Sequence, residues 1–149
     1  MKTLASNCLF CAIGKRDIPS SVVWEDDDIL AFLDINPIRP GHIQIIPREH
    51  YPYFDDLPAP LASRILQTGQ SLARVLKTTY AVERVAFLFT GGDIRHAHAH
   101  LVPMVAGDDI TSRRYIAEET VTYRPTPRFP DQELRETAAR LRALLDAQG

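Results

Sequence analysis

The sequence predicts an α+β domain, an antiparallel sheet of about five short strands carrying two principal helices. Apolar runs of strand length, broken by tight turns, fill the first third and recur after residue 84. Two longer stretches switch to helical period. The links between successive strands are short, which favours antiparallel pairing over crossovers.

Val22-Val23-Trp24 is the first strand and ends at the acidic cluster Glu25-Asp26-Asp27-Asp28. We read the aspartates as a solvated turn, because an acidic metal loop needs ligands at alternating positions. Ile29 to Leu33 is the second strand. Asn36-Pro37 and Arg39-Pro40-Gly41 reverse the chain into Ile43-Gln44-Ile45-Ile46, stopped by Pro47. From Pro58 to Lys77 the apolar stripe is Leu61, Ile65, Leu72 and Leu76, widened by Leu66 and Val75, which marks a packing helix. Proline fits its start. Val85 to Phe89 is a strand, Gly91-Gly92 breaks it, and Ile94 to Met104 reads as the next, bounded by Gly107-Asp108-Asp109. Arg113 to Pro130, with Arg113, Arg114, Arg124 and Arg128, reads as an irregular arm. Leu134, Ala138, Leu141 and Leu145 place a last helix from Asp131 to Ala147. The expectation is one domain over residues 1–149, with a core at about 8–104 and the arm and helix at 105–149.

Composition narrows the function classes. The chain has 149 residues, 45% hydrophobic and 24% charged, which suits one soluble globular domain. A net charge of −2 argues against dedicated nucleic-acid binding or a polybasic membrane surface. No apolar run approaches the roughly 20 residues of a bilayer span. MKTLASNCLFC makes a poor signal peptide. Two cysteines are too few for a disulfide scaffold, so a cytoplasmic location is expected.

Three of the five histidines alternate in Arg95-His96-Ala97-His98-Ala99-His100. On a strand these imidazoles share one face, and a row of them needs polar partners that Val or Ile would not. The outer two stand roughly 13 Å apart along a strand. Zn–N bonds of about 2 Å cannot join them at one ion, so the row divides its labour.

This run resembles the signature of the histidine triad superfamily. Cys8-Leu-Phe-Cys11, Val23-Trp24-Glu25-Asp26-Asp27, Leu30 to Ile35, Pro40-Gly41-His42 and Ile46-Pro47-Arg48-Glu49-His50 are similar in order and spacing to its nucleotide-binding branch, up to about Met104. The resemblance implies a five-stranded antiparallel sheet that extends to ten strands in a homodimer. It implies that His98 is the nucleophile, that His100 bonds phosphate oxygens, and that His42 sits near the leaving group. Asp34 would bind the ribose, and Phe10, Ile13, Phe32 and Ile35 would line a purine base pocket; taken one at a time, these four read equally as core. A neutral imidazole can attack an α-phosphate unaided and so split one displacement into two.

The resemblance also implies a structural zinc on Cys8, Cys11, His50 and His96, a closed set pinning the N-terminal segment to the triad. A redox CxxC and two plain buried thiols are the rivals; the thioredoxin-like βαβ context of the former is missing.

The chain departs from its relatives at Gly92 and Asp93, where they carry Gln and Ser or Thr on the phosphate. Thr90, the Gly91-Gly92 amides and Arg95 are candidate replacements, with Arg95 also readable as a surface charge and Asp93 as a turn cap. The leading expectation is hydrolysis of a nucleoside 5′-phosphoramidate or similar AMP conjugate. Alternatives are a dinucleoside polyphosphate hydrolase, a nucleotide-binding module with little catalysis, and a redox protein.

Overall fold

The computed structural model describes residues 7–106, 120 and 125–149. The turn at Gly107-Asp108-Asp109 and the arginines 113, 114 and 124 lie outside those residues. In chain order the elements are α1 (Leu9–Gly14), β1 (Val22–Glu25), β2 (Ile29–Leu33), β3 (Ile43–Pro47), α2 (Ala59–Tyr80), β4 (Arg84–Leu88), β5 (Ala99–Met104) and α3 (Asp131–Asp146). A 3₁₀ turn, Phe54–Asp56, lies directly before α2.

The strands form one five-stranded sheet in the order β1-β2-β3-β5-β4, and every neighbouring pair is antiparallel. The register runs Phe32 to Gln44 to His100 to Leu88, one row across four strands. Strand alternation then sends the two faces to different tasks. Ala31, Leu33, Ile43, Ile45, Ala99 and Leu101 meet Ile65, Leu72 and Leu76 of α2 and Leu134, Ala138 and Leu141 of α3 in the main core. Leu30, Phe32 and Ile46 face the other way, onto Phe10 and Ile13 of α1. Helix α2 crosses the sheet closely at Gly69, where a Cβ would stand 2.7 Å from the Phe87 ring. Gly41 turns the chain into β3 with φ of +89°, and its missing Cβ makes room for Tyr80.

Three expectations need correction. The strand placed at Ile94 to Met104 begins only at Ala99, so His96 and His98 precede it. The Ala97 amide bonds to the Tyr51 carbonyl, and His98 Nδ1 to the carbonyl of His96, which takes this segment out of the ladder. Residues 9–14 form a helix where only strands and turns were read; six residues are too few for periodicity to register, although Phe10, Ile13 and Gly14 are buried at helical spacing. Leu66 does not widen the α2 stripe, being 48% exposed. The aspartate turn is as expected: Asp26 Oδ1 accepts from the amides of Asp28 and Ile29, and Arg64 pairs with Asp26 and Asp28.

Candidate active site and metal centre

All five histidines gather on the α1 side of the sheet, with His42, His96 and His98 buried. His42, His96 and His98 each bond a backbone group of fixed chemistry, which assigns their tautomers, and His42 in turn assigns that of His100.

The Ile38 amide donates to His42 Nδ1 at 3.1 Å. A backbone N–H can only donate, so Nδ1 of neutral His42 is bare and Nε2 carries the proton. His42 Nε2 lies 2.9 Å from His100 Nδ1 and donates to it. His100 is left with its proton on Nε2. Burial pulls His100 down to about 4, with His42 and His98 adding to the effect and Asp34 opposing it. His42 is also lowered by burial, against the pull of Asp34. Both rings are therefore neutral donors at neutral pH.

His98 follows the opposite pattern. Its Nδ1 sits 2.6 Å from the His96 carbonyl, which only accepts, so the proton is on Nδ1 and Nε2 presents a bare lone pair. Its ring lies 5.0 Å from His100 and 5.0 Å from Phe10, edge-on to both. A nucleophilic nitrogen thus stands beside a neutral donor.

His96 turns toward the cysteines. Its Nε2 donates to the Pro47 carbonyl at 2.8 Å, which frees Nδ1. That nitrogen is 3.4 Å from Cys8 Sγ and 3.5 Å from Cys11 Sγ, and His50 Nδ1 is 3.3 Å from Cys11 Sγ. In a tetrahedron with Zn–S near 2.3 Å and Zn–N near 2.05 Å, the S···N edges are about 3.5 Å. The four ligand atoms lie within 4.8 Å of one another, so the residues fit a metal ion. Burial, then the hydrogen bond and charge of Cys8, push the Cys11 thiol up to about 11, against Lys15. A redox cysteine needs the reverse shift. Cys8 Sγ also accepts from the Cys11 amide at 3.4 Å, so it caps α1.

The residues expected to bind a nucleotide divide. Phe10, Ile13 and Phe32 come together in the second apolar cluster, with Phe10 and Phe32 edge-to-face at 5.8 Å. Ile35 is outside that cluster and 48% exposed. Asp34 accepts from Gln44 Nε2 and from the Asn36 amide, both at 2.7 Å, and its Oδ2 is 3.8 Å from His42 Nε2. Thr90 is exposed and shares a cavity with His98. Arg95 is exposed and lies over the Tyr53 ring at 5.6 Å.

Sequence reasoning missed two residues. Gln44 shares a sheet row with Phe32 and His100 and orients Asp34. A polar residue in the run Ile43-Gln44-Ile45-Ile46 was the signal. Arg48 donates to the Gly14 carbonyl at 2.5 Å and the Asp26 carbonyl at 2.8 Å, tying the end of α1 to the β1–β2 turn.

The model of the HIT domain matches residues 15–106. The chain belongs to the HIT family. Among curated HIT proteins, an uncharacterized HIT-like protein of Methanocaldococcus jannaschii is 35% identical over 105 residues, covering 68% of this chain and 81% of that protein. An adenosine 5′-monophosphoramidase of Saccharomyces cerevisiae is 35% identical over 68% of this chain and 65% of its own length. A zinc-bound histidine triad family protein from Mycobacterium smegmatis, 28% identical, superposes with a TM-score of 0.74 over 95% of each chain. A HIT-like structure from Bartonella henselae, 26% identical, gives 0.76 over 94% of this chain and 97% of that one. The similarity in fold therefore runs well past Met104, where the sequence resemblance stops, and α3 belongs to the shared architecture. No helix among the described residues is long and apolar enough to cross a membrane.

Proposed function

We propose that this HIT protein hydrolyses AMP conjugates, nucleoside 5′-phosphoramidates first among them, through a nucleotidyl intermediate on His98. The observation that carries the reading is the tautomer pattern: a bare Nε2 on His98 beside a protonated Nε2 on His100. In the first step His98 Nε2 bonds to the α-phosphorus and the P–N bond breaks. The amine leaves with that electron pair and takes a proton from solvent. In the second step water attacks phosphorus, His98 regains its electron pair, and the surplus proton returns to solvent. One water is consumed, its hydroxyl ending on AMP and its proton on the amine. His100 Nε2–H stabilises phosphoryl oxygen charge, with His42 fixing the His100 ring near the leaving group. Asp34 takes the ribose hydroxyls, and the base lies against Phe10, Ile13, Phe32 and Ile35, with Thr90 toward the phosphates.

Cys8, Cys11, His50 and His96 would hold a zinc ion, which supplies rigidity and leaves no open position for substrate. The protein would work as a homodimer with a ten-stranded sheet, continued from the edge strand β4 (Arg84–Leu88).

The experiment is AMP release from adenosine 5′-phosphoramidate and from diadenosine tetraphosphate, with wild type and His98→Ala. We expect turnover of the amide and a loss of about 10³-fold or more in the variant. Turnover of the tetraphosphate alone would move the assignment to dinucleoside polyphosphate hydrolysis. Tight AMP binding without turnover of either would make the chain a binding module, the reading that Gly92 and Asp93 favour.

A further inference from the structure

After β5 the chain comes back to the end of β2 through one short segment. Residues 125–130 run without helix or strand into α3 and lie beside Ile35 and Asn36, the two residues that follow Asp34. The Phe129 amide donates to the Ile35 carbonyl at 2.8 Å. Thr126 Oγ1 donates to the Asn36 carbonyl at 2.9 Å, and Asn36 Nδ2 returns a longer bond of 3.4 Å to the Thr126 carbonyl. Thr126 and Phe129 each precede a proline, Pro127 and Pro130. Those rings hold both residues extended and remove two amides that could bond elsewhere.

One peptide group carries this contact on to Asp34. The Ile35 carbonyl and the Asn36 N–H belong to the same planar unit, and in a trans peptide they point in opposite directions. Its oxygen accepts from Phe129, and its N–H donates to Asp34 Oδ1 at 2.7 Å. Bonds made at both ends of an amide polarise and reinforce one another. Thr126 holds the next carbonyl along, which fixes the rotation of that peptide from its other side. The far end is anchored, because Phe129 packs on the main core beside Leu134, Ala138 and Leu141 of α3. Gln44 fixes Asp34 Oδ2 independently, also at 2.7 Å. With one donor on each oxygen, the carboxylate keeps a lone pair on each for a further donor.

We propose that Thr126 is a positioning residue for nucleotide binding. By bonding Asn36 it holds the 35–36 peptide on Asp34 and keeps that carboxylate turned to the ribose hydroxyls. The proposal rests on the reading above that Asp34 takes the ribose, and adds what fixes it there. Thr126 acts through Asn36, with no contact of its own to the sugar and none to His98. A nucleotide without the two hydroxyls gains nothing from the arrangement, which makes the sugar the readout.

The test measures Kd by calorimetry for AMP and for 2′,3′-dideoxyadenosine 5′-monophosphate, on the full chain as wild type, Thr126→Val and Thr126→Ser. Wild type should prefer AMP by about tenfold. Thr126→Val keeps the branched shape and loses the hydroxyl. It should weaken AMP about threefold and leave the dideoxy nucleotide unchanged, and Thr126→Ser should restore the preference. With adenosine 5′-phosphoramidate, Thr126→Val should raise KM by the same factor at constant kcat. Thr126 is exposed, so this variant keeps the fold and its urea midpoint. A wild-type preference that survives Thr126→Val overturns the positioning role alone. So does a loss that falls equally on both nucleotides, which a merely structural segment would give. Wild type that binds neither nucleotide, or both alike, sinks the ribose reading and the proposal with it. An AMP preference cut by Thr126→Val supports the proposal even where wild type turns over nothing, an outcome that would sink the hydrolase reading alone.

Discussion

Two clusters of metal-competent side chains flank His98, and only one of them is set for a metal. Cys8, Cys11, His50 and His96 form the first; Asp34, His42 and His100 form the second, and in each the ligand atoms lie within 4.8 Å of one another. Their difference is in the outer nitrogens. In the first cluster the Pro47 carbonyl takes the His96 Nε2 proton, so Nδ1 faces the thiols bare. In the second, the Ile38 amide donates to His42 Nδ1, so Nε2 must carry a proton into the cluster and pass a hydrogen bond to His100. A metal on His42 Nε2 would need a proton on Nδ1, pointed at the Ile38 N–H. One backbone carbonyl and one backbone amide therefore send similar side chains to different work, a second-neighbour control of the ring tautomer. His98 joins the two, because the carbonyl of His96, whose own Nδ1 faces the thiols, orients it.

The largest effect should come from emptying the first cluster. Helix α1 is six residues long, and both cysteines flank Phe10, whose ring touches His96 and His98. So short a helix does not stand alone. Chelation, or Cys11→Ser, should remove one equivalent of zinc by elemental analysis and lower Tm by about 10 °C, equivalent to ~4 kcal/mol. An unchanged Tm with zinc gone would mean that α1 is held by its apolar contacts and Arg48 alone.

Much of this was legible in the sequence, and what was not has physical causes. Strands β2 and β3 carry strong apolar patterns between turn residues, and α2 and α3 show long periodic stripes. The alternation of His96, His98 and His100 points to divided labour, and the rings do have different partners: His96 faces the cysteines and His100 pairs with His42. What alternation could not show is that the strand starts after His98, since that depends on bonds to Tyr51, distant in sequence, and to a neighbouring carbonyl. Tautomers were invisible for the same reason. Nothing in the letters of Pro47 or Ile38 says that the carbonyl of one and the amide of the other will meet a histidine.

The second cluster should report itself through pH. His100 is held near 4 by burial, facing His42, His98 and Asp34, and His42 is shifted the same way. The unfolded chain protonates these rings near the ordinary 6.5. Between 6.5 and about 4 the unfolded state therefore binds more protons than the folded one, so stability rises with pH and falls as the solution is acidified through that window. The urea midpoint should drop across this range, and His100→Gln should flatten the drop. An equal slope in wild type and variant would show that other groups govern the acid response.

The smallest and sharpest effect tests the backbone control itself. Ile38→Pro removes the single N–H that fixes the His42 tautomer and little else, because Ile38 is 58% exposed and its side chain is outside both apolar clusters. With that donor gone, His42 can carry its proton on Nδ1 and turn a bare Nε2 toward His100 Nδ1 and Asp34. The variant should then bind a second divalent ion, read as nickel or zinc beyond one equivalent, about tenfold more tightly than wild type. Far-UV circular dichroism and the melting of the first-cluster zinc complex check that the turn has survived. A variant that keeps its fold and gains no affinity would show that the ring tautomer at His42 is set by His100 and Asp34, with the Ile38 amide only following.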